Sequence, residues 1–352
     1  MLNARIIKHK LNFKVPAKTS RGTLVDKKAW YILLHDYFIG YTGIGECSII
    51  PGLSIDDRSD YEDKLAEVCG EINAGVPVEM LDLAEFPSIV FALETAMADL
   101  ASNSENQNIL YPSAFTAGKA GIPINGLVWM GSREFMEKQI GEKIEQGFDT
   151  IKLKVGALDF ESELDIISNI RKQFSPEDIT IRLDANGAFT PENALERLNC
   201  FSAFSIHSIE QPIRQGKVED MAKLCRTTPI PIALDEELIG IFTPKEKEEL
   251  LNSIKPQYII LKPGLIGGFA ASNEWISIAA KEGIGWWVTS ALEGNIGLNA
   301  IAQWTFTLNN ALPQGLGTGQ IYTNNIASPL TISKGRLYYI PRNEWDLSFL
   351  EW

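Results

Sequence analysis

From Pro123 onward the chain alternates short apolar segments with amphipathic ones, and this alternation limits its fold more than any other feature. Eight segments read as strands: INGLVWM, TIKLKVG, TIRLDAN, SIHSIEQ, PIALDEE, QYIILKP, GWWVTSA and PQGLGTG. Between them lie helical stretches, including 133–146, 160–173, 191–201 and 270–282. Strands separated by helices need crossover connections and therefore pair in parallel. Eight such units in about two hundred residues predict an α/β fold, a (β/α)-barrel of the TIM type. A doubly wound sheet would instead carry a phosphate-binding turn after its first strand, and no such turn occurs.

The preceding segment has a different pattern. Ala29 to Ile39 (AWYILLHDYFI) is rich in aromatic and β-branched residues and leads into the glycine-rich GYTGIGE. Residues 60–75 and 87–100 read as helices, with Phe91, Glu94, Thr95 and Ala98 at helical spacing. Residues 19–22 read as an exposed loop. The last stretch returns to strand character in LTISKGRLYYI. The expected organisation is an N-terminal α+β capping domain over residues 1–115, a barrel over 116–320, and a segment, 321–352, that returns to the cap.

Composition excludes several classes. The chain has a net charge of −13 and no long basic run. Nucleic-acid binding rests on clustered Lys and Arg, so it is not expected. Cys47, Cys69, Cys200 and Cys225 form no CxxC pair, and only three histidines occur, which removes zinc-ribbon and redox-pair readings. No apolar run reaches about 18 residues, and the N-terminus lacks an apolar signal region, so a cytoplasmic location with no membrane partner is expected. Homo-oligomerisation is left open.

The ionisable residues carry the chemical information. Apolar barrel strands should not hold charge in their middles, yet Lys152 and Lys154 sit in TIKLKVG. Asp184, Glu210, Asp235 and Lys262 fall near the C-terminal ends of four further strands, where TIM-barrel sites assemble. Successive members are 26, 25 and 27 residues apart, one βα unit each. Strand alternation puts Lys152 and Lys154 on the face opposite Ile151, Leu153 and Val155, and so towards the barrel interior. Arg182 shares the face of Asp184. Three carboxylates converging at one mouth repel unless a cation lies between them. Hard oxygen donors favour Mg²⁺, with Mn²⁺ a workable substitute. A metal-held carboxylate acidifies its α-carbon, and a lysine beside it can take the proton. Asn186 and Glu236 flank the ligand positions and, with Arg182, are candidates for a supporting shell.

These motifs resemble the enolase superfamily and in particular its muconate-lactonizing subgroup. KLK at 152–154, LDAN at 183–186, IEQP at 209–212, LDEE at 234–237 and LKPG at 261–264 follow that subgroup's pattern. GECSIIPGLS, INGLVWMG, TSALEGNIGL and GLGTG are similar to the o-succinylbenzoate synthase family within it. The resemblance implies a small carboxylate substrate and elimination of water from 2-succinyl-6-hydroxy-2,4-cyclohexadiene-1-carboxylate, in menaquinone biosynthesis. It implies Lys154 as the base, Lys262 as a cation on the opposite face and Lys152 as the lysine that tunes Lys154. It also implies substrate contacts from Ser290, Gly317, Thr318 and Arg21. Racemases of N-acyl amino acids, dipeptide epimerases and muconate cycloisomerases share the metal motif and remain alternatives. Dipeptide epimerases carry an acidic DxD near strand eight, where this chain reads QGLGTGQ. A catalytically silent barrel is disfavoured, because it would have no need of buried like charges.

Overall fold

The computed structural model describes residues 2–19, 22–102 and 108–350. Leu2–Thr19 (β1), Gly22–Asp36 (β2) and Tyr41–Ser48 (β3) form an antiparallel sheet in that order. The strand expected at 29–39 therefore begins earlier and ends at Asp36, where a turn over 37–40 leads into β3. Tyr61–Asn73 (α1) and Pro87–Ser102 (α2) follow. Alternation on β2 decides what each face covers. Trp30, Ile32 and Leu34 pack with Leu65 and Val68 of α1 and with Ile89, Leu93 and Ala96 of α2. Tyr31 and Leu33 point the other way, towards Ile296, Ile326 and Leu350.

The helix α2 lies directly on the backbone of β3. A Cβ built on Gly45 would sit 1.8 Å from the Ala92 carbonyl oxygen, and one on Gly43 2.1 Å from that of Ala96. Only glycine admits this approach.

Gly121–Pro123 (β4) leads into the barrel. Its strands and helices alternate, with two helices after the sixth strand. They are Gly126–Val128 (β5), Arg133–Glu145 (α3), Thr150–Lys154 (β6), Phe160–Gln173 (α4), Thr180–Asp184 (β7) and Pro191–Ser202 (α5). Then come Ser208–Glu210 (β8), Val218–Thr227 (α6), Ile232–Leu234 (β9) and Pro244–Ile254 (α7). Tyr258–Leu261 (β10), Pro263–Ile266 (α8), Gly268–Lys281 (α9), Gly285–Val288 (β11) and Asn295–Thr307 (α10) complete the series. The strands β5 to β11 pair in sequence order, each parallel to the next.

The eighth segment closes the ring through isolated bridges, Ile124 with Gln314 and Thr289 with Gly315. Asn125 donates to the Gln314 carbonyl at 2.9 Å, and Gly315 donates to that of Val288 at 2.8 Å. Pro313 has no N–H to donate, and glycines follow, so the ladder stays short there. Outward residues such as Ile151, Leu153, Ile181, Leu183 and Ile209 join the helices in one continuous core.

Leu330–Ser333 (β12) and Arg336–Tyr339 (β13) form a hairpin paired with β4, and the chain then runs back to the first sheet. There Arg5 donates to the Leu350 carbonyl at 3.3 Å. The fold is thus a (β/α)-barrel with an N-terminal antiparallel α+β cap completed by the C-terminal segment. No helix among the described residues is long and apolar enough to cross a membrane.

Candidate active site

Parallel register brings the charged strand ends together. Lys154 of β6 is the register partner of Asp184 of β7, and Asp184 is the partner of Glu210 of β8. Lys152 pairs one step deeper with Arg182. The carboxylates of Asp184, Glu210 and Asp235 are buried, at 0%, 1% and 2% exposure, so each needs a compensating charge. Lysines supply it. Lys152 Nζ lies 2.8 Å from Asp184 Oδ2 and also contacts Glu210 Oε2. Lys154 Nζ donates to Asp184 Oδ2 at 2.6 Å and to Asn186 Oδ1 at 2.7 Å. Lys262, at the end of β10, contacts Asp235 Oδ2 and lies 3.7 Å from Glu210 Oε1.

Titration follows from these contacts. Burial raises Glu210, the charge of Asp184 adds to it, and its carboxyl is pushed up to about 7. Asp184 is held far below the usual carboxylate range, because Lys152 and Lys154 outweigh its burial. Burial alone would lower Lys152 and Lys262. Asp184 and Glu210 around Lys152, and Asp235 and Glu210 around Lys262, reverse that and raise both. For these two lysines carboxylate charge wins over desolvation, so both keep their positive charge.

The expected ligands are brought to one mouth, but their carboxylates turn towards lysines. Among the described residues no three acidic, His or Cys side chains are grouped as a metal cluster. The donor set nonetheless suits a hard divalent cation. It consists of buried carboxylates on three successive strands, and Glu210 Oε1, 3.7 Å from Lys262, accepts no hydrogen bond among the described residues. A divalent ion there would take over the charge balance that the ammonium groups hold.

The supporting residues divide. Asn186, at φ +43°, links Lys154 to Glu236 by donating to Glu236 Oε1 at 3.1 Å. Arg182 points elsewhere. Its guanidinium stacks 4.1 Å over Trp287 and donates to the Pro313 carbonyl at 2.7 Å. Two further residues went unassigned in the sequence. Gln211 of the IEQP motif donates to Glu237 Oε2 at 3.0 Å and accepts from the Asp235 backbone N–H at 3.2 Å. It thereby fixes the end of β9. The signal was present in LDEE, whose last acid, Glu237, reads as an ordinary loop residue.

The cavity above these groups has a volume of about 380 Å³. Lys152, Lys154, Lys262, Asn186 and Glu236 form its charged side. Leu24, Ile50, Leu53 and Trp129 form an apolar side, contributed largely by the cap. Ser290, Gly317 and Thr318 line it as expected, although the Ser290 and Thr318 hydroxyls are 2.7 Å apart and bonded to each other. Arg21 lies outside the described residues. Mixed charged and apolar walls suit a small organic acid.

Comparison with known proteins agrees with this geometry. Residues 136–342 match the family model described as "Enolase C-terminal domain-like". The chain is 44% identical to the o-succinylbenzoate synthase of Desulfotalea psychrophila (strain LSv54 / DSM 12343), over 93% of this chain and 96% of that one. The crystal structure of MenC from Desulfotalea psychrophila LSv54 superposes with a TM-score of 0.84 at 40% identity, covering 96% of this chain and 99% of that one. L-Ala-D/L-Glu epimerase of Bacillus subtilis (strain 168) is 28% identical over 52% of this chain and 50% of its own. The chain therefore belongs to the o-succinylbenzoate synthase family of the enolase superfamily.

Proposed function

We propose that this chain is a carbon–oxygen lyase that dehydrates 2-succinyl-6-hydroxy-2,4-cyclohexadiene-1-carboxylate to o-succinylbenzoate. The observation that carries this reading is 44% identity to an o-succinylbenzoate synthase over 93% of the chain, cap and barrel together. Sequence alignment with the Bacillus epimerase covers only about half of each chain, at 28% identity. The cap supplies the apolar wall, so similarity that includes the cap bears on substrate choice.

Enzymes of this superfamily depend on a divalent metal ion. Mg²⁺ is the proposed ion here, held by Asp184, Glu210 and Asp235. When bound it would neutralise charge that develops on the substrate carboxylate. The chain's own groups do the rest. Lys154 removes the α-proton and holds it at Nζ, from which the departing hydroxide can receive it. Asn186 keeps Nζ aimed into the cavity. Lys152 places a second positive charge beside it. Lys262, four strands away around the ring, keeps its proton under the influence of Asp235 and Glu210 and sets a positive charge against the ring of the substrate. The proposal also covers the division at residues 115/116 and 320/321, and a cytoplasmic location.

A direct competition tests the substrate. Purified protein with Mg²⁺ is given the cyclohexadiene acid and, separately, N-acyl amino acids and dipeptides. Aromatisation should dominate by kcat/KM. Efficient racemisation without aromatisation would leave the barrel and the metal site and remove the synthase reading.

A further inference from the structure

A second buried charged cluster joins the cap to the barrel beside the cavity, and the reaction as described does not use it. It consists of Lys27 on β2, Glu46 on β3 and Glu293 in the loop between β11 and α10. All three are buried. Lys27 Nζ donates to the carbonyls of Ala291 and Leu292, at 2.8 Å each. Glu46 accepts from the backbone N–H groups of Gly294 and Gly297, at 2.6 and 2.9 Å, at the N-terminus of α10. Glu293 accepts from the Ala291 N–H at 2.6 Å. The hydroxyl of Tyr322 also donates to the Leu292 carbonyl, at 2.6 Å.

The residue gripped most tightly is under backbone strain. Leu292 sits at φ +61°, a region that a branched side chain rarely adopts. Two donors converge on its carbonyl, and Leu292 itself lines the cavity with Ser290 and Ala291. The other end of the contact matters equally. Gly22, Thr23 and Leu24 line the same cavity, and Lys27 follows three residues later on the same strand. Leu24 packs in one apolar cluster with Leu292, Ile321 and Tyr322. Behind the loop, Glu293 Oε1 lies 2.9 Å from where a Cβ on Gly264 would stand, two residues after Lys262. Burial pushes Lys27 down to about 8 despite Glu293 and Glu46, a costly placement for a cation that only fills space.

We infer that Lys27 is a positioning residue for substrate binding: it pins the start of β2 over the cavity mouth and holds the strained Leu292 loop in its cavity-lining form. The inference rests on the proposed dehydration for its kinetic readout, and on amide exchange for a readout independent of turnover. Loss of the clamp leaves the lysines on β6 and β10 in place, so binding suffers and the chemical step does not.

The experiment compares Lys27→Met, Tyr322→Phe and Lys247→Met in the full-length protein. Lys247 is another fully buried lysine, paired with Glu274 on the outer helices, and serves as the purely structural comparison. Lys27→Met should raise KM about tenfold, with kcat within about threefold of the parent, as loss of charge-assisted hydrogen bonds that act on binding alone would do. Tyr322→Phe should move KM in the same direction, by less, with its ring still in place. Hydrogen exchange should quicken at Thr23–Val25 and Ala291–Leu292 in both. Lys247→Met should lower the melting temperature and leave KM and those amides alone. The inference is overturned if Lys27→Met melts lower but keeps the parental KM and exchange at those amides. If Lys27→Met does not fold, a parental KM and exchange pattern in Tyr322→Phe overturns it. A parent protein without dehydratase turnover would count against the proposed function, and the exchange pattern would then decide the clamp.

Discussion

Lys154 Nζ lies 2.6 Å from Oδ2 of Asp184, its register partner on the neighbouring barrel strand. The proposed base and a proposed metal ligand are therefore set by one step of one parallel ladder. Slipping either strand by one residue would turn its own side chain out of the barrel and part the pair.

This placement separates the roles of the two outer lysines. Lys154→Ala should remove dehydration by about a thousandfold or more, within the range for a general base. Lys262→Ala should lose about a hundredfold, as expected when a preorganised charge is deleted. Both are read by absorbance during aromatisation, with circular dichroism confirming the fold. Equal, small losses in the two variants would contradict the assignment.

Neutralising a ligand should uncouple metal binding from folding. Asp235→Asn should weaken Mg²⁺ or Mn²⁺ binding more than about a hundredfold, beyond the usual cost of an outer-shell change. Titration calorimetry measures the affinity and thermal melting the fold. Parental affinity in this variant would remove Asp235 from the ligand set.

The cap depends on its glycines. Gly45→Ala forces a methyl against the Ala92 carbonyl, so α2 must shift or the strand must bend. Overpacking of this kind costs about 1–3 kcal/mol or more, so the melting temperature should fall by several degrees. An unchanged melting curve would show that α2 does not rest on the β3 backbone.

His207 reports on the barrel floor. Burial, then the charge of Arg182, lowers it to about 4. A base lowered in the folded state contributes stability above its unfolded value near 6.5, and that contribution is lost as pH falls towards 4. A ring-proton titration should show a midpoint near 4, and His207→Phe should flatten the stability profile between those values. A midpoint near 6.5 would place the ring in water.

The barrel was legible because its strands are short apolar runs with charge only at interior or terminal positions. Lys152, Lys154, Asp184, Glu210, Asp235 and Lys262 broke that rule in a regular spacing, and the structure brings all six to one mouth. Arg182 obeyed the same alternation but points to Trp287, since alternation fixes a face and not the reach of a long side chain. Gln211 and Glu237 escaped notice because they meet across a whole βα unit, 26 residues apart in the chain. Lys27, Glu46 and Glu293 carry no shared period. They meet only through the docking of cap on barrel, hundreds of residues apart for Lys27 and Leu292.

The most direct measurement is the absorbance change as the cyclohexadiene acid becomes aromatic, followed with purified protein in Mg²⁺, after EDTA, and after Mg²⁺ is restored. Rapid turnover that stops with chelator and returns with Mg²⁺ is the expected result. No aromatisation in the presence of Mg²⁺, or turnover indifferent to chelator, would contradict a metal-dependent dehydration at this barrel mouth.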